Sequence, residues 1–161
     1  MSKTHQYRLS LEWVGSQGVG TISRSAYSRA HVISGDGKSW SIEGSSDPSF
    51  RGEPDRYNPE ELLVAALSAC HMLWMLHLCA DARIVVLGYT DAPVGRMVEY
   101  EDGSGEFTSV TLHPHLILQD LRRKDELPFL HSRAHSLCFV ARSVNFPVTH
   151  VPSAAEENTL N

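Results

Sequence analysis

The stretch LLVAALSACHMLWMLHLCA, residues 62–80, constrains the fold more than any other part of the chain. It is apolar around its whole circumference, so it has no face to give to water. Asn58 stands where a helix N-cap belongs, Pro59 fits the first helical position, and Glu60 and Glu61 fill the first turn. These signals predict a helix from Pro59 to about Ala82. Such a helix either crosses a bilayer or is buried on all sides. Two histidines, a serine and two cysteines lie within it, and neither flank, RYNPEE or ADAR, clusters Lys or Arg. Burial is therefore the expectation, with no membrane. A single sheet covers only one side of a helix, and a second copy of the chain is the simplest cover for the rest.

Around this helix the chain reads as strands. Residues 5–15 alternate as a half-exposed strand, and SRAHVISG and KSWSIEG form two more across an Asp36-Gly37 hairpin turn. Residues 45–59 are rich in Ser, Pro, Gly and charge and read as a loop. After the helix come strands at RIVVLGYT, GRMVEYE and FTSVTLHPHLILQD, with Pro114 marking an edge or bulge. A second helix is expected over 124–144 and a last strand at FPVTHV. Strands, buried helix, strands, helix and strand make an α+β order. One domain over residues 1–152 is expected, followed by a polar tail over 153–161.

A net charge of −5 speaks against general binding to nucleic acid, which needs a basic face. The first residues lack the apolar core of a secretory signal, and three cysteines are too few for a disulfide scaffold. A cytoplasmic, reducing location is the expectation, where cysteine chemistry is catalytic or transient.

Cys70 lies in the middle of the apolar helix, with Ala66, Leu67, Leu73 and Trp74 as its helical neighbours. A thiol in such surroundings stays protonated unless something stabilises the thiolate. Cys138 is the second candidate, near the end of the second helix. If the fold brings the two together, one can be oxidised to a sulfenic acid and the other can condense with it. Cys79 faces another side and reads as packing. His131, His135 and Cys138 share one helix face, a spacing that suits a metal site or simply a polar face. No HExxH, paired CxxC, GxSxG, P-loop or complete dinucleotide fingerprint is present, so no cofactor or metal is expected.

The segments NPEELLVAALSAC (58–70) and AHSLCFVARSVNFPV (134–148) resemble the OsmC/Ohr family, osmotically induced protein C and organic hydroperoxide resistance protein. The likeness extends over roughly residues 5–150. It implies antiparallel sheets wrapped around long buried helices in an intertwined homodimer. It also implies thiol-dependent, peroxiredoxin-like reduction of organic hydroperoxides, reset by a dithiol reductant that the sequence does not name. By position Cys70 is then the peroxidatic cysteine, Cys138 the resolving cysteine and Glu60 the acid of an Arg–Glu pair. Arg51 is the expected arginine, with Arg56 and Arg29 as alternatives. The chain departs from many members at Phe139, where they carry proline. A non-catalytic small-ligand-binding protein of the same fold is the alternative.

Arginine suits this role because it stays charged and its forked donors can hold a carboxylate and a sulfur together. Leu67, Trp74 and Phe139 are expected to form an apolar wall that favours organic peroxides. Ten residues of straight helix span about 15 Å. Glu60 and Cys70 therefore cannot share one arginine on one unbroken helix: either the helix breaks, or Glu60 and its arginine serve the Cys70 of a second chain.

Overall fold

The structure, a computed structural model, describes residues 3–157. They fall into two compact units, divided between Leu62 and Leu63 inside the long helix.

The first unit holds a three-stranded antiparallel sheet of β1 (Ser10–Trp13), β2 (His31–Ser34) and β3 (Ile42–Gly44), in that order. Leu11 pairs with Ile33 and Ile33 with Ile42, while Trp13 pairs with His31 and His31 with Gly44. Because side chains alternate along a strand, these residues share one face. Ser10, Glu12, Val32, Ser34 and Glu43 share the other. Gly44 has a steric reason: a Cβ there would lie 2.3 Å from Nε2 of His31. The apolar face is open, with Leu11 68% exposed. The connection after β2 turns at Gly37, whose φ of +72° suits glycine.

The loop after β3 is tied down by Glu53. Its carboxylate accepts hydrogen bonds from the Ser28 hydroxyl, at 2.5 Å, and from the buried Ser45 hydroxyl. These bonds, the Ser28 one first, lower the Glu53 pKa below its ordinary value. Helix α1 (Pro59–Asp81) begins with a reciprocal cap. The Asn58 side chain accepts from the Glu61 N–H at 2.8 Å, and the Glu61 carboxylate accepts from the Asn58 N–H at 3.0 Å. This capping box is the start that the sequence predicts.

The second unit holds the rest of α1 and six strands: β4 (Val86–Thr90), β5 (Val94–Glu99), β6 (Gly105–Leu112), β7 (His115–Leu118), β8 (Val148–His150) and β9 (Ser153–Glu156). They form two three-stranded sheets, ordered β4-β7-β9 and β5-β6-β8. In each, the first pair is antiparallel and the second parallel. The breaks β4/β5, β6/β7 and β8/β9 carry Pro93, Pro114 and Pro152 respectively. Proline cannot donate to a ladder, so one proline per strand interrupts pairing along a common row. Pro114 is buried in the break between β6 and β7, each the central strand of its sheet, not at an edge. The break is bridged by other donors: Asp91 accepts from the His113 N–H at 2.6 Å, and the Pro114 carbonyl accepts from the Ser153 N–H at 2.9 Å.

The chain passes from β7 to β8 through a 3-10 segment (Leu121–Glu126) and helix α2 (Leu127–Leu137). A crossover of this length is what a parallel addition requires. Met75, Leu78 and Cys79 of α1 pack with Leu116 and Leu118 of β7 and with Leu127, Leu130 and Ala134 of α2. Leu67 joins a second cluster with Val110, Leu112 and Val148.

Two expectations need correction. Residues 153–156 are not tail: they form β9, whose backbone pairs with β7. Residues 158–161 of the expected tail lie outside the described residues. The second helix does not run over 124–144. It is α-helical only to Leu137, and Cys138 ends it in extended backbone, its N–H shared between the Ala134 and His135 carbonyls. The Cys138 sulfur then accepts from the Ala141 N–H at 3.4 Å, so the thiol takes a backbone donor after the helix has ended. Within one chain α1 is buried along one stripe only: Leu67, His71, Met75, Leu78 and Cys79 are buried, while Ala65, Ala66, Ala69 and Leu73 lie exposed on the opposite side, the side for which a second copy is the expected cover.

Candidate active site

Cys70 and Cys138 come together. Cys70 sits mid-way along α1, and Cys138 at the C-cap of α2. Burial pushes the Cys138 thiol up to about 11, and the neighbouring Cys70 thiol adds to the shift, against opposing N–H donors at Ala141 and Val140. Both thiols are free. Their exposures differ: Cys138 is 1% exposed, whereas Cys70 is half-buried. Cys70 is thus the sulfur a solute can reach, and Cys138 lies behind it as a neutral thiol. Cys79 is buried in the core with its thiol pushed up to about 11 by burial alone, which is the signature of packing.

Beside the thiols lies a group of imidazoles. His71 Nε2 and His131 Nδ1 are 2.9 Å apart, and the rings are within 8° of coplanar, as an in-plane hydrogen bond requires. The His150 ring lies 5.4 Å from that of His71 and 5.5 Å from that of His131, and the His135 ring is 6.2 Å from His150. His131 Nε2 is buried and has no hydrogen-bond partner among the described residues. Among the described residues, no three His, Cys, Asp or Glu side chains converge in a metal-binding arrangement, so His131, His135 and Cys138 are not a ligand set as they stand. The spacing of His131 and His135 signals a shared face. Nothing local in the sequence ties His71 or His150 to it.

The residues expected to form an apolar wall are placed differently from one another. Trp74 and Phe139 meet edge-to-face with centroids 6.0 Å apart, and Phe139 is 68% exposed. Trp74 also borders a shallow hollow of about 240 Å³ with Leu73 and His77. Leu67 is fully buried among Val110, Leu112 and Val148.

Helix α1 is unbroken from Pro59 to Asp81, so Glu60 and Cys70 stand about ten residues, roughly 15 Å, apart along it. Among the described residues, neither Glu60 nor Arg51 has an ion-pair partner. Arg51 follows a 3-10 turn with a φ of +66° and is exposed. Arg56 pairs with Glu43 at 3.3 Å. Arg29 donates to the carbonyls of Tyr27 and Arg24 and lies over the Tyr27 ring at 4.4 Å.

A long apolar helix packed on mixed three-stranded sheets, with two adjoining free thiols from two helices, defines a class of small α+β proteins. The OsmC-like protein family model matches residues 52–151, and the chain belongs to that family. It is similar to the solved structure of an OsmC-like protein of unknown function from Vibrio cholerae, at 31% identity, covering 92% of this chain and 99% of that one, with a TM-score of 0.82. It shares its fold with an organic hydroperoxide resistance protein OsmC from Legionella pneumophila, at 16% identity over 94% of this chain and 99% of that one, with a TM-score of 0.66. The same holds for an organic hydroperoxide resistance protein from Elizabethkingia anophelis, at 18% identity over 96% of this chain and all of that one, with a TM-score of 0.64. No curated protein matches the chain.

Proposed function

We propose that the protein is a cysteine-based peroxidase that reduces organic hydroperoxides. The observation that carries this reading is that a reachable thiol, Cys70, lies close enough to a buried thiol, Cys138, to raise its pKa. The Cys70 thiolate attacks the distal peroxide oxygen, the O–O bond breaks, and an alkoxide leaves and takes up a proton to become the alcohol. Cys70 is then a sulfenic acid. The Cys138 sulfur attacks it, the S–S bond forms, and the departing hydroxyl leaves as water with the Cys138 proton. A dithiol reductant restores both thiols by exchange.

The working unit is a homodimer in this reading. Two apolar surfaces support it: the exposed side of α1, where Leu73 is 63% exposed, and the open face of the β1-β2-β3 sheet. Either is too apolar to be left to water without a role. In the dimer Glu60 and Arg51 of one chain serve the Cys70 of the other, because an unbroken α1 keeps Glu60 away from the Cys70 of its own chain. The location is cytoplasmic, with no membrane or nucleic-acid partner.

The test is mass mapping of cysteine oxidation after one equivalent of tert-butyl hydroperoxide. A Cys70–Cys138 disulfide is expected. An unoxidised Cys70 under these conditions selects the non-catalytic ligand-binding alternative.

A further inference from the structure

The peroxidase reading makes no use of the buried imidazoles. We propose that His71, His131 and His150 form an acid-sensitive lock joining α1, α2 and β8: neutral, they hold these elements together, and protonation drives them apart. The inference is independent of the peroxidase reading.

The geometry carries it. Three imidazoles from three elements stand ring against ring, and two of them, His71 and His131, are fully buried. The His71–His131 hydrogen bond holds one proton between Nε2 and Nδ1. One added proton leaves this bond intact but places a cation in the core. A second sets N–H against N–H and destroys the bond. His71 is faced by His150 of β8, His135 of α2 and Asp91 of the β4–β5 link. His131 is faced by His71 and His150, and His150 by His135. Asp91 is the one acid in this set. Its oxygens already accept from the Ser68 hydroxyl at 2.6 Å and the His113 N–H at 2.6 Å. One committed carboxylate cannot neutralise several imidazolium ions.

The direction follows from linkage. Burial first, then the neighbouring imidazoles, lower His71 to about 4 and His131 to about 3, and burial and His135 lower His150. An unfolded histidine titrates near 6.5. Between about pH 6.5 and 4 the opened chain binds protons that the closed chain refuses, so stability rises with pH there and is lost as pH falls. Each refused proton is worth up to tenfold in the folding constant per pH unit, and the His71–His131 pair up to a hundredfold.

The experiment is urea unfolding of the full chain from pH 7.5 to 4.5, compared with the His71→Phe/His131→Phe double variant. The expected result is a wild-type folding constant that falls with acid more steeply than the variant's, by up to a hundredfold per pH unit. Equal slopes overturn the proposal. If the variant does not fold, NMR titration of the imidazole C2–H signals in the wild type decides. His71 and His131 remaining neutral at pH 5 in the folded protein is expected, and either of them titrating near 6.5 without loss of structure overturns it.

Discussion

Cys70 lies beside Cys138 and raises its pKa, although one sits in the middle of a helix and the other at the end of another, with six strands and a crossover arranged around them. Their unequal exposure predicts unequal variants. Cys70→Ser abolishes hydroperoxide consumption. Cys138→Ser completes one turnover and stops with a Cys70 sulfenic acid that dimedone traps. Cys79→Ser leaves the rate unchanged. Peroxide consumption and intact-mass spectra after dimedone read all three.

The uncovered side of α1 predicts dimerisation. Wild-type protein is expected to sediment as a dimer at micromolar concentration. Leu73→Arg puts a charge into the exposed apolar stripe and shifts sedimentation to the monomer, with peroxidase activity falling along with it. A fully active monomeric wild type would refute the cross-chain site.

The three arginines make different predictions. Arg29 and Arg56 are committed to carbonyls and to Glu43, whereas Arg51 has no ion-pair partner among the described residues. Arg51→Ala is expected to cut kcat/KM at least a hundredfold, a loss of about 2.7 kcal/mol, with the unfolding midpoint little changed. Arg29→Ala is expected to lower the unfolding midpoint instead, because it frees two carbonyls. Hydroperoxide kinetics beside thermal melts separate the two outcomes.

Trp74 and Phe139 predict substrate preference. Their edge-to-face pair is the one part of the expected apolar wall that a solute can reach. Trp74→Ala is expected to lower kcat/KM for cumene hydroperoxide about tenfold while changing that for hydrogen peroxide little, since a lost apolar contact is worth roughly 1–3 kcal/mol to the organic group alone. Equal effects on the two substrates would remove Trp74 from the pocket.

Stability is expected to respond at two ends of α1. Met75 is fully buried in the main core, so Met75→Ala costs about 2–5 kcal/mol. Asn58→Ala removes one half of the capping box and costs about 1 kcal/mol. Denaturant melts measure both.

Helix α1 was legible almost to the residue, because its signals are local: Asn58 caps, Pro59 starts, and the apolar run sets the length. The α+β order of elements was also legible, as were the two cysteine segments that mark the family. The end of the second helix is not legible, because it is set by where the Cys138 sulfur and backbone find partners, and no glycine or proline there announces it. Strand β9 is not legible either, because Ser153-Ala154-Ala155-Glu156 has no strand-like pattern of its own; it is a strand because β7 offers it a ladder.

The amino-acid sequence by itself determined which segments must be hidden and where helices can begin, since hydrophobicity, capping and the fixed φ of proline act within a few residues. Only the tertiary structure decided which distant groups meet: Cys70 with Cys138, His71 with His131 and His150, and three prolines in one row. Such meetings depend on how helices and strands pack, and packing is a relation between residues far apart in the chain that no short stretch can encode.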